Sequence, residues 1–192
     1  ALATPPGRSA LAVFRISGPT AVEALARITR GGGVRPRRPS LRSLYAATAE
    51  KIDDAVVTVF PGPASFTGED CVELSVHGSR SVISALNATL ARIGGLRVAE
   101  PGEFTKRAFL NGRMDLTQAE AVADLIDSET EFQRRQALRM LSGELGACVR
   151  AWRERILDVS AEIESSLDFS AEGDVDALDV RRLSSDVNAL VA

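Results

Sequence analysis

Apolar residues along this chain change their period once, near residue 117. Before that point, short alternating runs are interleaved with helical ones. "SALAVFRISG" places Ala10, Ala12, Phe14 and Ile16 on one face, which predicts a half-buried strand. "SGPTAVEALARIT" then repeats Ala21, Leu25 and Ile28 at helical spacing, with Ser17 or Gly18 as the expected cap and Pro19 in the first turn. The Gly and Pro content of "RGGGVRPRRPS" predicts a loop. "LRSLYAATAEKIDDAVVTVF" predicts two strands joined near Lys51–Asp54, the second rich in β-branched residues. In "CVELSVH", Val72, Leu74 and Val76 share one face, while Cys71, Glu73, Ser75 and His77 share the other. "SVISALNATLARIGG" reads as an amphipathic helix closed by Gly94 and Gly95, and "LRVA" as a last short strand. Strands and helices mix without strict βαβ alternation, so an α+β domain is expected rather than a doubly wound sheet.

From Thr117 the pattern is helical throughout. "TQAE" predicts a capping box with Thr117 as cap and Glu120 reaching back. Val122, Ala123 and Ile126 open a stripe that Gln133, Ala137, Leu138 and Leu141 continue imperfectly, with a break expected near Gly143. Leu145, Val149, Trp152, Ile156, Val159, Ile163 and Leu167 then step by 4, 3, 4, 3, 4 and 4, a narrow seam suited to a helical bundle or coiled coil. At about 1.5 Å per residue the seam spans roughly 33 Å. Val180 to Ala192 begins another helix, inside which the chain stops, the mark of a truncated domain. The expectation is an α+β domain over 1–115 and an incomplete all-α domain over 116–192.

Composition narrows the class. Of the 192 residues, 45% are hydrophobic and 26% charged, which fits a soluble globular protein. No run reaches the roughly 18 apolar residues of a membrane helix, and no basic-then-apolar leader is visible. The first residue is Ala1, not methionine, so Ala1 need not be the native start. The net charge of −3 conceals an asymmetry: residues 1–113 hold 15 Lys/Arg against 9 Asp/Glu, residues 114–192 hold 8 against 17. Different partners for the two halves are expected. The basic half, including the loop arginines Arg30, Arg35, Arg37 and Arg38, could meet an anionic ligand or nucleic acid, but a solvated surface loop is the favoured reading. Cys71 and Cys148 lack CxxC spacing and have one histidine to join them, which argues against zinc; two free thiols suit a reducing cytosol.

Candidate chemistry centres on charges inside apolar runs. Glu73 lies mid-strand, where an unpaired carboxylate is costly. A ligand with two adjacent N–H donors, such as a 2-aminopyrimidinone ring, matches its two oxygens; so does Arg15, an equally odd charge in "VFRIS". A plain Arg15–Glu73 salt bridge and a shared pocket both remain open. Glu73 and His77, four apart on a strand, sit roughly 13 Å from each other and cannot form an acid–base pair. His77 reads as a strand-end residue bonded to local backbone, and Cys71 has no evident base beside it. "DFSAEGDVDALD" resembles a calcium loop from Asp168, but Asp179 stands where a bidentate Glu is expected. No GxxxxGK[ST] phosphate loop occurs, so this chain offers no sequence basis for hydrolysing GTP or ATP.

"ATPPGRSALAVFRISG", "FPGPASFTGEDCVELSVHG", "PGEFTKRAFLNGRMDLTQAEAVADLID" and "DFS" resemble, in order, the N-terminal part of the MnmE (TrmE) family of tRNA-modification GTPases. The resemblance implies an α+β tetrahydrofolate-binding domain, similar to the aminomethyltransferases, that forms a homodimer. It also implies an incomplete helical domain into which a G domain is inserted beyond Ala192. The family acts in the cytoplasm with a flavoprotein partner, MnmG (GidA). Together they add an aminomethyl or carboxymethylaminomethyl group to C5 of the wobble uridine of tRNA, with the one-carbon unit drawn from a 5-formyl- or 5,10-methylene-tetrahydrofolate. GTP, Mg and K belong to the G domain. By motif match the folate-contacting residues fall on Arg15, Glu73 and Arg113, with no catalytic or metal-binding residue in this chain. Ser9 and Ala10 replace a common Gly-Gly, "HGS" replaces "HGG", and Arg113 stands where Lys is common, which changes donor geometry. The family's C-terminal Cys motif is absent. A free-standing folate-dependent aminomethyltransferase and a structural dimerisation module without ligand are the alternatives.

Overall fold

The computed structural model describes residues 1–168, with side chains to residue 165. The chain divides into two compact units between Met114 and Asp115. The first contains β1 (Leu11–Ser17), α1 (Ala21–Thr29), β2 (Ser40–Tyr45), β3 (Lys51–Phe60), β4 (Cys71–His77), α2 (Arg80–Leu90) and α3 (Glu103–Leu110). Its four strands form one antiparallel sheet in the order β1-β4-β3-β2. The described residues of the second unit form helices and no strand, so this is an α+β protein.

The period-two alternation puts Phe14, Leu74, Val76 and Val57 on one face, all fully buried, where Leu25 and Ile28 of α1 and Leu86 of α2 join them in one core. Each such side chain contributes about 1.5–3 kcal/mol by leaving water. The same alternation turns Arg15, Glu73 and Ser75 to the opposite face, which is half-buried. The β1–β4 register pairs Phe14 with Leu74 in the core and Arg15 with Glu73 on the open face.

Local chemistry moves several boundaries from their expected places. The N-cap of α1 is Thr20, and its side chain makes no capping hydrogen bond. The expected cap, Ser17, instead directs its hydroxyl to Thr67 and Glu69. The β2–β3 connection falls at 46–50, so Lys51–Asp54 lie inside β3. α2 ends at Leu90 rather than at Gly94, although Gly95 does take a positive φ. "LRVA" forms no strand. The outer edge of β1 is taken by residues 1–3 through Ala1–Arg15 and Ala3–Val13 backbone bonds, so no edge there is left to accept it. The helix α3 went unread in the sequence.

In the second unit, α4 (Leu116–Ile126) and α5 (Glu131–Leu141) are separate helices, each opened by its own capping box. The first box is Asp115 with Gln118, not Thr117 with Glu120; the Thr117 hydroxyl donates to Asp115 instead. The second is Thr130 with Gln133. Gln118 also donates to the Leu141 carbonyl at 2.9 Å, tying the two helices together, and Ala121 and Ala137 are buried between helices as small residues that allow close approach. Gly143, at φ 84, separates α5 from α6 (Glu144–Asp168). The seam on α6 remains open to solvent, with Trp152 47% and Ile156 53% exposed. The calcium-like "GDVDALD" stretch and the expected helix from Val180 lie outside the described residues. No helix among the described residues is long and apolar enough to cross a membrane.

Because Phe14 has no exposure and sits centrally in the core, Phe14→Ala should lower unfolding stability by about 3–5 kcal/mol in urea titrations. Leu41→Ala, on the outward face of edge strand β2, should stay within about 0.5 kcal/mol of the unaltered protein.

Candidate functional site

The open face of the sheet carries a charged pair beside two aromatic rings. Arg15 Nε and Nη2 both donate to Glu73 Oε1, at 2.9 and 2.6 Å. The guanidinium carbon lies 5.2 Å from the centre of the Phe66 ring and 5.5 Å from that of Phe104, inside the range of cation–π attraction. The two side chains are 27% and 30% exposed, so the pair is neither desolvated nor free. Among the described residues, Glu73 Oε2 and Arg15 Nη1 have no hydrogen-bond partner. A monodentate pair of this kind leaves one acceptor and one donor edge available to a third group.

The rings are held by their supports. Phe66 sits on the loop from Pro61 to Asp70, and that loop is anchored by fully buried Thr67. Its hydroxyl meets Ser17 Oγ at 2.6 Å and Cys71 Sγ at 3.1 Å, while its carbonyl accepts from Asn111 Nδ2 at 2.7 Å. The loop folds closely on itself: a Cβ on Gly62 would lie 2.9 Å from the Gly68 carbonyl oxygen. Gly68 takes φ +79, and a Cβ there would press on the side chains of Asn111 and Arg113 at 3.0 and 3.3 Å.

Phe104 opens α3, next to Glu103. Glu103 accepts from Arg97 at 2.6 and 2.8 Å, from the Glu100 N–H at 2.8 Å, and from Arg107 at 2.9 and 3.1 Å. The Arg97 bonds foremost, then the Glu100 N–H and Arg107, hold its carboxyl at about 2, well below the ordinary 4.5. Arg107 reaches onward to both oxygens of Glu69 at 3.0 Å. A continuous chain of ion pairs thus fastens α3 to the loop, and with it holds Phe104 and Phe66 beside Arg15.

Of the three sequence-predicted residues, Arg15 and Glu73 are brought into direct contact. Arg113 lies against the Gly68 turn and makes no hydrogen bond or ion pair with either, among the described residues. The two best-formed concavities lie elsewhere. One, of about 420 Å³, is lined by Leu2, Pro6, Gly7 and α2 residues including Arg80 and Asn87; the other, of about 300 Å³, lies over Glu69, Arg97, Glu103, Arg107 and Asn111. His77 does not bond to local backbone as expected: its Nδ1 lies 2.8 Å from Asp53 Oδ1, and its N–H donates to Oδ2. Asp53 comes from the neighbouring strand, a partner that no local spacing signals. Cys71 is buried and bonded to hydroxyls, Cys148 is exposed, and no metal-binding cluster occurs among the described residues.

Phe66, Phe104, Glu103, Arg107 and Glu69 escaped the sequence reading. One signal was present: Glu103, Arg107 and Asn111 recur at intervals of four, which marks one face of a helix.

Comparison with known proteins covers both units. Residues 1–113 match the family described as GTP-binding protein TrmE N-terminus, and residues 116–192 match the MnmE helical domain. The chain is 57% identical over 171 residues to the tRNA modification GTPase MnmE of Methylobacterium sp. (strain 4-46), covering 88% of this chain and 39% of that protein. It is 54% identical over 173 residues to the protein of the same name from Phenylobacterium zucineum, covering 88% and 38%. To that of Dinoroseobacter shibae it is 51% identical over 172 residues, covering 90% and 40%. The chain therefore spans about two fifths of the length of these relatives.

The low Glu103 value predicts a pH dependence. A carboxyl whose pKa is lower in the folded state contributes stability above its unfolded value, and that contribution is lost as pH falls from 4.5 toward about 2. Urea midpoints measured across that window should fall less steeply for Glu103→Gln than for the unaltered chain. Parallel curves would show that the Arg97–Glu103–Arg107 network does not hold this carboxylate.

Proposed function

The chain belongs to the MnmE family of tRNA modification GTPases, and on that premise we propose that its first unit binds a tetrahydrofolate derivative and forms a homodimer. Arg15, Glu73 and Arg113 are the residues assigned to the ligand. The observation that carries the assignment is the half-satisfied pair: among the described residues Glu73 Oε2 and Arg15 Nη1 are unclaimed, on a half-exposed face beside two aromatic rings. A pteridine offers adjacent ring and amino N–H groups that suit a carboxylate edge, and apolar ring faces that suit Phe66 and Phe104. Arg15 meets a carbonyl or carboxylate acceptor of the same ligand, and Arg113, packed against the Gly68 turn, adds positive charge. When bound, a 5-formyl- or 5,10-methylene-tetrahydrofolate supplies the one-carbon unit. The residues of this chain bind and orient it.

In the whole protein, the proposed reaction adds an aminomethyl or carboxymethylaminomethyl group to C5 of the wobble uridine of tRNA. It takes place in the cytoplasm with the flavoprotein MnmG (GidA) as partner. GTP, Mg and K are assigned to a G domain whose phosphate-loop signature is not in these 192 residues. The match of residues 116–192 to the MnmE helical domain counts against the free-standing aminomethyltransferase alternative.

The second reading is a dimerisation module without ligand. It is favoured by the Arg15–Glu73 bond being already formed and by the two concavities described above not being lined by either residue. Calorimetric titration with 5-formyltetrahydrofolate separates the two. Saturable binding should appear in the unaltered chain and weaken at least tenfold in both Glu73→Ala and Arg15→Ala, each checked for fold by circular dichroism. A folded dimer that gives no binding heat would support the module reading instead.

A further inference from the structure

The segment from the end of α1 into β2 concentrates positive charge, most of it without a carboxylate partner among the described residues. From Arg27 to Arg42 the sequence has six arginines and no Asp or Glu. Arg27 pairs with Glu23 on its own helix. The other five, Arg30, Arg35, Arg37, Arg38 and Arg42, have no carboxylate partner among the described residues. Three of them are held by main-chain carbonyls, which fix a guanidinium without cancelling its charge: Arg30 by Ala49 at 2.6 Å, Arg42 by Leu41 and Gly33 at 2.9 and 3.1 Å, and Arg37 by Ala64. Arg30 is also stacked 4.0 Å from the centre of the Tyr45 ring. The side chains of Arg35 and Arg38 are exposed and make no hydrogen bond within the described chain.

A solvated loop alone does not account for this arrangement. The arginines of α5 differ: Arg134 and Arg135 both pair with Glu131, and Arg139 pairs with Glu144. Five uncompensated guanidiniums within 13 residues, three fixed in place, make a surface complementary to a line of anions. Between Arg30 and Arg42 the non-proline apolar residues are Val34 and Leu41, too few to make the apolar face by which a basic segment enters a lipid surface.

We propose that the loop from Arg30 to Arg42 is a contact surface for the phosphate backbone of RNA. The inference rests on the reading above, that the full protein acts on tRNA, and adds to it the surface by which the first unit meets that substrate. Such contacts position a nucleic acid without reading its sequence. They act by releasing counterions, so their number is visible in the salt dependence of binding.

The test is fluorescence anisotropy of a labelled tRNA transcript with the 192-residue chain across a salt series, comparing R35Q/R38Q with the unaltered protein. These two side chains support nothing in the fold, so the variant should fold normally. Losing two phosphate contacts should flatten the slope of log K against log salt by about 1.5–2 and weaken binding at low salt roughly tenfold. R35K/R38K should keep the slope, and R134Q/R135Q on α5 should match the unaltered chain. An unchanged slope in R35Q/R38Q, with tRNA still bound, would overturn the loop assignment and leave the tRNA reading standing. No tRNA binding by the unaltered chain would overturn the loop proposal without touching the folate reading, which the calorimetry tests separately. Equally tight, equally Arg-dependent binding of duplex DNA or of phosphatidylglycerol vesicles would replace RNA with a general polyanion surface.

Discussion

The pairing register between β1 and β4 is the constraint on which the rest of the first unit depends. Leu11 lies opposite His77 and Ser17 opposite Cys71, which places Phe14 against Leu74 and Arg15 against Glu73. A slip of one residue would move Phe14 and Ile16 to the open face and carry Arg15 into the core. The cost of burying an unpaired guanidinium and the cost of exposing the core residues fall on the same wrong register. One alternating pattern therefore sets both the core and the charged face.

From that pair the site grows outward through fixed contacts. Phe66 and Phe104 both lie within cation–π range of Arg15, and each ring is secured by a separate structure: Phe66 by the loop anchored at Thr67, Phe104 by α3. The Glu103–Arg107–Glu69 ion-pair chain joins the two supports. Partly exposed ion pairs contribute little individually to stability, but a network that fixes several side chains at once limits the geometries available to a ligand. The second unit follows simpler physics: two capping boxes start α4 and α5, and alanines allow the close approach of its helices.

Much of this was legible in residue patterns. Strands with clean alternation, such as "FRIS" and "CVELSVH", were readable because period two and one-sided burial reinforce each other. Glu73 and Arg15 stood out because charges in apolar runs demand a partner, and each turned out to be the other's. What failed was set by contacts distant in sequence. Ser17 looked like a cap but bonds Thr67, 50 residues on; "LRVA" looked like a strand but found no free sheet edge on β1. The shift from Thr117 to Asp115 shows that two overlapping capping signals compete, and that the acidic residue with a Gln three positions later prevails here. His77 was read as locally bonded because its partner, Asp53, is 24 residues away on another strand.

The charged pair and the arginine loop assign different anionic and polar partners to one small unit, but the central claim concerns the pair. It is that Arg15 and Glu73 receive a folate beside Phe66 and Phe104. The most direct measurement follows arginine side-chain Nε–Hε signals by NMR during titration with 5-formyltetrahydrofolate, with Arg15 assigned through Arg15→Lys. The expected result is a saturable shift of the Arg15 signal, accompanied by aromatic shifts from Phe66 and Phe104, while Arg134 and Arg135 stay still. Saturable binding that moves the Arg97 or Arg107 signals and leaves Arg15 unmoved would contradict the claim and place the ligand in the concavity over Glu69 and Glu103.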